Sequence, residues 1–249
     1  MQLTDWNHYV AWEVRFETND LTPPPFSYYY RLLIRKESSR YWASYELIYT
    51  HREELTEEEL AEEGFTAYDD RRCEALLQEV WMAQLKDLFT HSQPETRPRR
   101  PEHHFLELHL TTPAGATHVF TPKNRTAWEL LLQQVAQAIM EAAQIEAPLS
   151  VGYLWQVGGK WQMHHICWQF ANRIAVWTHA DKSKKISWQA AMAIMEQSFE
   201  IEPDYERGAP HPKRNIEQIS PGDGNWYPLL EKQQNRWNAL KQAVLRLVE

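Results

Sequence analysis

The residue types most able to do chemistry in this chain stand together in Met163-His164-His165-Ile166-Cys167. On a strand, His165 and Cys167 share one face and His164 points to the other. An imidazole and a thiol at i, i+2 offer one borderline and one soft donor. That pair could seed a zinc or copper site, completed by a distant histidine such as His109, His118 or His179. Three features oppose the metal reading. The segment holds a single cysteine, adjacent strand histidines do not converge on one ion, and Trp161 and Met163 share the His165 face as core residues do. Packed or hydrogen-bonded histidines are therefore the ordinary expectation, here and at His103-His104.

A second candidate is Glu200-Ile201-Glu202-Pro203-Asp204-Tyr205-Glu206, with His211, Lys213 and Arg214 after it. In extended chain its four carboxylates fall on one parity, and clustered carboxylates can hold magnesium for phosphoryl chemistry. The enzyme reading is thus a metal-dependent hydrolase or phosphoesterase, using zinc or magnesium at the His165/Cys167 or Asp204/Glu206 region. A solvated polar loop is the simpler account. The glycines, at 64, 115, 152, 158, 159, 208, 222 and 224, form neither GxGxxG nor GxxxxGK[ST], and no GxSxG or HExxH occurs.

Binding has its own candidates. Seven glutamates lie between positions 53 and 63, and Glu57, Glu58 and Glu62 would offer a basic protein partner an acidic landing surface. Twelve tryptophans in 249 residues are unusual, and core packing is their ordinary use. Trp12, Trp81, Trp128 and Trp237 fall on expected inward faces. Trp168 lies on the His164 parity and Trp161 on the other, so one of them is expected at the surface, where aromatic rings anchor partners. Ser220-Pro221-Gly222-Asp223-Gly224-Asn225-Trp226-Tyr227-Pro228 is a turn-rich segment carrying Trp226 and Tyr227 as further candidate binding residues.

The elements that must position these groups read as strands followed by helices, twice. Residues 9–18 alternate apolar and polar, and 26–36 with 41–50 form a hairpin beside them. Thr56-Glu57-Glu58-Glu59 is a capping box for a short helix over 57–63, ended by Gly64. Residues 71–90 read as one amphipathic helix with Cys73, Leu77, Val80, Trp81, Leu85 and Leu88 inward. The proline-rich stretch 91–102 is the expected boundary between halves 1–92 and 103–249, unless it is a long loop in one domain. Beyond it come strands at 105–110 and 118–121, and a helix to about 144 opened by a box at Thr126-x-x-Glu129. A hairpin of 149–157 with 160–170 about Gly158-Gly159 follows, then a strand over 173–179. Ser187 caps a helix over 188–199. The last helix, about 229–248, is expected to pack on its own sheet rather than in a coiled coil.

The fold class is therefore α+β: two antiparallel sheet-plus-helix halves with hairpin connections and a C-terminal helix. Net charge is −8, from 26 Lys+Arg against 34 Asp+Glu, which argues against general nucleic-acid binding. Arg97-Pro98-Arg99-Arg100 is then a solvated linker. No stretch is long and apolar enough to cross a membrane, no basic or apolar leader opens the chain, and there are two cysteines. A reducing cytoplasm is the expected setting. The leading functional expectation is a non-catalytic protein that binds another macromolecule through an aromatic surface and an acidic patch. The metal-dependent enzyme is the alternative, and a small-molecule sensor with an aromatic-lined pocket is compatible with the same residues.

Overall fold

The structure, a computed structural model, describes residues 5–213 and 215–247. The chain divides into two units, 1–146 and 147–249. In the first, β1 (Ala11–Glu17), β2 (Tyr28–Glu37), β3 (Arg40–Tyr49) and β4 (Arg71–Leu77) form a meander, with the short helix α1 (Glu57–Glu62) between β3 and β4. Helix α2 (Glu79–Thr90) follows, then β5 (Phe105–Thr111), β6 (Thr117–Phe120) and α3 (Arg125–Ala142). Strand β5 pairs with β1, so the six strands run β4-β3-β2-β1-β5-β6, all antiparallel.

The second unit repeats this order of strands and helices without a counterpart of α1. Strands β7 (Leu149–Val157), β8 (Lys160–Gln169), β9 (Ile174–His179) and β10 (Lys182–Ile186) form its meander. Helix α4 (Trp188–Phe199), strands β11 (Gln218–Ser220) and β12 (Tyr227–Pro228), and helix α5 (Gln234–Arg246) complete it. Its sheet runs β10-β9-β8-β7-β11-β12. Two six-stranded antiparallel sheets with helices and a C-terminal helix make the protein α+β, as its patterning indicates.

Each core forms where helices meet one face of their sheet. In unit 1, Trp12 and Phe120 lie with Phe89 of α2 and Trp128 of α3, through Trp6–Trp12, Trp6–Phe89, Phe89–Phe120 and Phe120–Trp128 ring contacts. In unit 2, Trp237 of α5 packs on Tyr153 and Trp155, and the Trp168 indole donates to the Ala191 carbonyl of α4. Trp81, Trp128, Trp155, Trp168 and Trp237 are each under 2% exposed. Each removes roughly 200 Å2 from water, about 5 kcal/mol of gross transfer free energy. Helix α5 thus serves its own sheet and no coiled-coil seam.

Local chemistry sets several boundaries. The Thr56 box forms, with Thr56 Oγ1 accepting from the Glu59 N–H and the Glu59 carboxylate accepting from the Thr56 N–H at 2.8 Å. Ser187 caps α4 by accepting from the Ala190 N–H. Gly158 and Gly159 take φ of 55° and 78°, which a two-residue hairpin loop of this kind requires.

Two expectations need correction, one alternative is decided, and one strand stands outside the sequence pattern. Residues 71–77 are strand, not helix: Cys73 and Leu77 lie four apart, a spacing that keeps one face in either structure, and pairing with β3 from Leu47↔Arg71 to Tyr41↔Leu77 selects the strand. The 91–102 stretch takes the alternative of a long loop: it lies within unit 1 and leads to β5, which pairs with the second edge of β1. The box at Thr126 does not form. Arg125 donates to the His104 carbonyl and starts α3 at Arg125, which leaves Thr126 inside the helix and Asn124 at its N-cap. Strand β10, Lys182-Ser183-Lys184-Lys185-Ile186, has no apolar alternation and so carries no strand signal in the sequence. Among the described residues, no helix is long and apolar enough to cross a membrane.

Candidate functional site

In unit 2, β8 places His165 and Cys167 on the face away from the helices, as parity requires. His165 pairs across Gly152, where the absent side chain admits the Trp226 indole; ring centroids of His165 and Trp226 are 5.8 Å apart and nearly perpendicular. A Cβ on residue 152 would sit 2.6 Å from the indole. Burial here pushes the His165 imidazole below the ordinary histidine range. Cys167 pairs with Ser150 and Val176, neither a metal donor in a histidine or thiolate set. Among the described residues, no three His, Cys, Asp or Glu side chains converge to hold a metal ion.

His164, on the opposite face, has the more elaborate surroundings. The register of β8 with β9 sets it beside His179, and the two rings stack at 4.3 Å and 14°. The Trp177 indole N–H donates to His164 Nδ1 at 3.2 Å, so the proton of the neutral ring resides on Nε2, which donates to Gln162 Oε1 at 3.2 Å. His179 donates from Nδ1 to the Met163 carbonyl at 2.8 Å, leaving Nε2 toward other partners. Burial first, and then the neighbouring imidazoles of His179 and His165, lower the His164 pKa to about 4. His179 is therefore the distant histidine that joins this cluster, and it joins His164 rather than His165.

The carboxylates of 200–206 are not brought together. Glu200 ends α4, Glu202 pairs with Lys232 at 2.8 Å, and Asp204 pairs with Arg207 at 3.6 Å where a short 3-10 turn carrying Glu206 begins. The extended conformation that would align them is broken by that turn.

The aromatic candidates divide. Trp168 is enclosed in the core and Trp226 covers Gly152, so neither offers a ring to a partner. Tyr227 is likewise buried; it donates to Asp223, whose carboxylate also receives the Asn225 N–H, and lies against Tyr205. Glu57, Glu58 and Glu62 are exposed on α1. The segments flanking that helix are tied together by buried Arg52, which ion-pairs with Asp69 at 2.7 Å and lies over the rings of Tyr49 and Phe65.

Exposed aromatic rings stand singly outside the sheets at Phe26, Tyr68, Phe199 and Tyr205, whereas Tyr29 and Trp42 share one face of the first sheet. In each of its strands buried residues alternate with exposed or half-buried ones, so the face opposite α2 and α3 is open. Across it run two registered rows, Arg72–Glu46–Arg31–Arg15 and Glu74–Ser44–Leu33–Glu13–His109, followed by Leu76–Trp42–Arg35. Trp42 is 42% exposed and Tyr29 40%. Arg15 and Arg31 both donate to Glu13, at 2.7 and 2.8 Å. Burial alone would raise the Glu13 pKa, but these two guanidiniums outweigh it and hold the carboxyl below its ordinary value. Two shallow grooves of about 270 and 380 Å3 share Leu33, Ser44 and Glu74. The outward parity of 26–36 and 41–50 carried this signal in the sequence.

Compared with known proteins, the chain matches no family model, no curated protein and no solved structure.

Proposed function

We propose that the protein is a non-catalytic binding protein that grips another protein on the open face of the first sheet. One observation carries the reading: this face sets Trp42, Tyr29, Leu33 and Leu76 among ion-paired Arg and Glu side chains, with grooves between them. Large rings in a polar frame are what protein interfaces concentrate. The paired charges make the face neither basic nor acidic, which suits a protein rather than a nucleic acid. Glu57, Glu58 and Glu62 supply an acidic patch that speeds encounter with a basic partner. A reducing cytoplasm fits two cysteines that form no disulfide.

The test is affinity purification of the tagged protein from its native host, with mass spectrometry of what accompanies it. A stoichiometric protein companion is expected. Leu33→Glu should weaken its binding by at least about tenfold, since a charge is buried in the contact, with unchanged thermal unfolding. Reversing Glu57, Glu58 and Glu62 to Lys should slow association more than it speeds dissociation. A lone protein, or a companion held equally by Leu33→Glu, overturns the proposal.

A further inference from the structure

The helix-covered side of the second sheet is not closed along its whole length. Successive registered rows there read Trp168–Ala175–Ile186, Ile166–Trp177–Lys184 and His164–His179–Lys182 across β8, β9 and β10. Apolar packing thus gives way, row by row, to two imidazoles and an ammonium. At that end lies an open cavity of about 600 Å3 whose lining includes His164, Trp177, His179, Asp181, Lys182 and Lys184. Its size is that of a small-molecule site.

From this geometry we infer that the cavity binds a small planar aromatic carboxylate. Half-buried His179 presents its ring here, backed by a packed aromatic cluster: it stacks on buried His164 and lies 6.1 Å from buried Trp177, itself 5.6 Å from His164. A flat ring extends that stack. Buried His164 has both nitrogens engaged, so it positions the wall and does not contact the ligand. Half-buried His179 keeps Nε2 for a polar group of the ligand, its Nδ1 being held by the Met163 carbonyl. The Lys184 ammonium is tied to the Leu247 carbonyl at 2.8 Å, whereas Lys182 is exposed on the edge strand and has no hydrogen-bond or ion-pair partner among the described residues. Among the described residues, Lys182 and Lys184 stand with Asp181 around this cavity, and the unpartnered Lys182 ammonium is the complement of a ligand carboxylate. This site lies wholly in unit 2 and does not depend on the open face of the first sheet.

The experiment is calorimetric titration of the full chain with 2-naphthoate, its neutral isostere 2-naphthamide, and cyclohexanecarboxylate, an anion without a flat ring. Indole N–H resonances are followed in parallel. One molecule of 2-naphthoate should bind with Kd below about 1 mM, and the other two should bind at least about tenfold more weakly. The Trp177 N–H, which reports on His164, should shift as the site saturates. Lys182→Met should weaken 2-naphthoate at least about tenfold with an unchanged unfolding midpoint. Equal affinity for the amide, absence of binding at about 10 mM, or wild-type affinity in folded Lys182→Met overturns the inference.

Discussion

With Trp177 donating to its Nδ1 and Gln162 receiving from its Nε2, His164 has no position left for a second proton. Its pKa in the folded protein, about 4, lies below the 6.5 of an unfolded histidine, so the unfolded chain takes up the proton first. The stabilisation is therefore complete above pH 6.5 and is lost as pH falls toward 4, by at most about 1.4 kcal/mol per pH unit. Burial of His165 acts in the same direction. Denaturant unfolding of wild type and His164→Gln across pH 7 to 4 checks this. The Gln amide oxygen can still receive the Trp177 N–H, and the variant should show the shallower pH dependence; equal slopes would show that His164 is not the titrating group. Parity alone set His164 and His165 on opposite faces. The partners were not legible, because His179 arrives through the β8–β9 register and Trp226 through a loop some sixty residues away.

At the scale of elements, intrinsic signals served where one local interaction decides, as in the Thr56 and Ser187 caps and the Gly158-Gly159 turn. They failed where pairing decides. Strand β4 carries a spacing that suits both periods, and β10 carries no apolar pattern; each is a strand because a neighbour needs its hydrogen bonds. Glycine 152 shows the same dependence inside β7. Its backbone is ordinary extended chain, so nothing local demands glycine there, and the demand comes from Trp226 across the sheet face. Gly152→Ala should destabilise the protein by about 1–3 kcal/mol through overpacking, with altered Trp226 emission. Chemical denaturation followed by fluorescence measures both, and a neutral effect would place the indole elsewhere.

For the whole molecule, the same order of strands and helices occurs twice, yet the outward faces of the two sheets differ in use. The first is open, whereas in the second Trp226 lies over Gly152 beside His165. Repetition of order was visible in the sequence, but the dividing point was not, since the proline-rich 91–102 stretch is only a surface connection between α2 and β5. Each unit holds its own aromatic core, with Trp81 and Trp128 in one and Trp155, Trp168 and Trp237 in the other. Chains 1–146 and 147–249 expressed separately should therefore each show a single cooperative thermal transition with dispersed amide spectra. Broad, non-cooperative melting of either would show that its core is insufficient alone.

Strand β10 also bears on how this protein behaves when concentrated. It forms an outer edge of the second sheet, with a row of backbone donors and acceptors that a second copy could extend into a continuous ribbon. Lys182, Lys184 and Lys185 stand along that edge, and bringing two such strands together would crowd six ammonium groups against one another. The repulsion works as a guard against fibrous self-association. Any chemistry that neutralised those amines, acetylation for example, would remove the guard and leave a short, bare template for polymerisation.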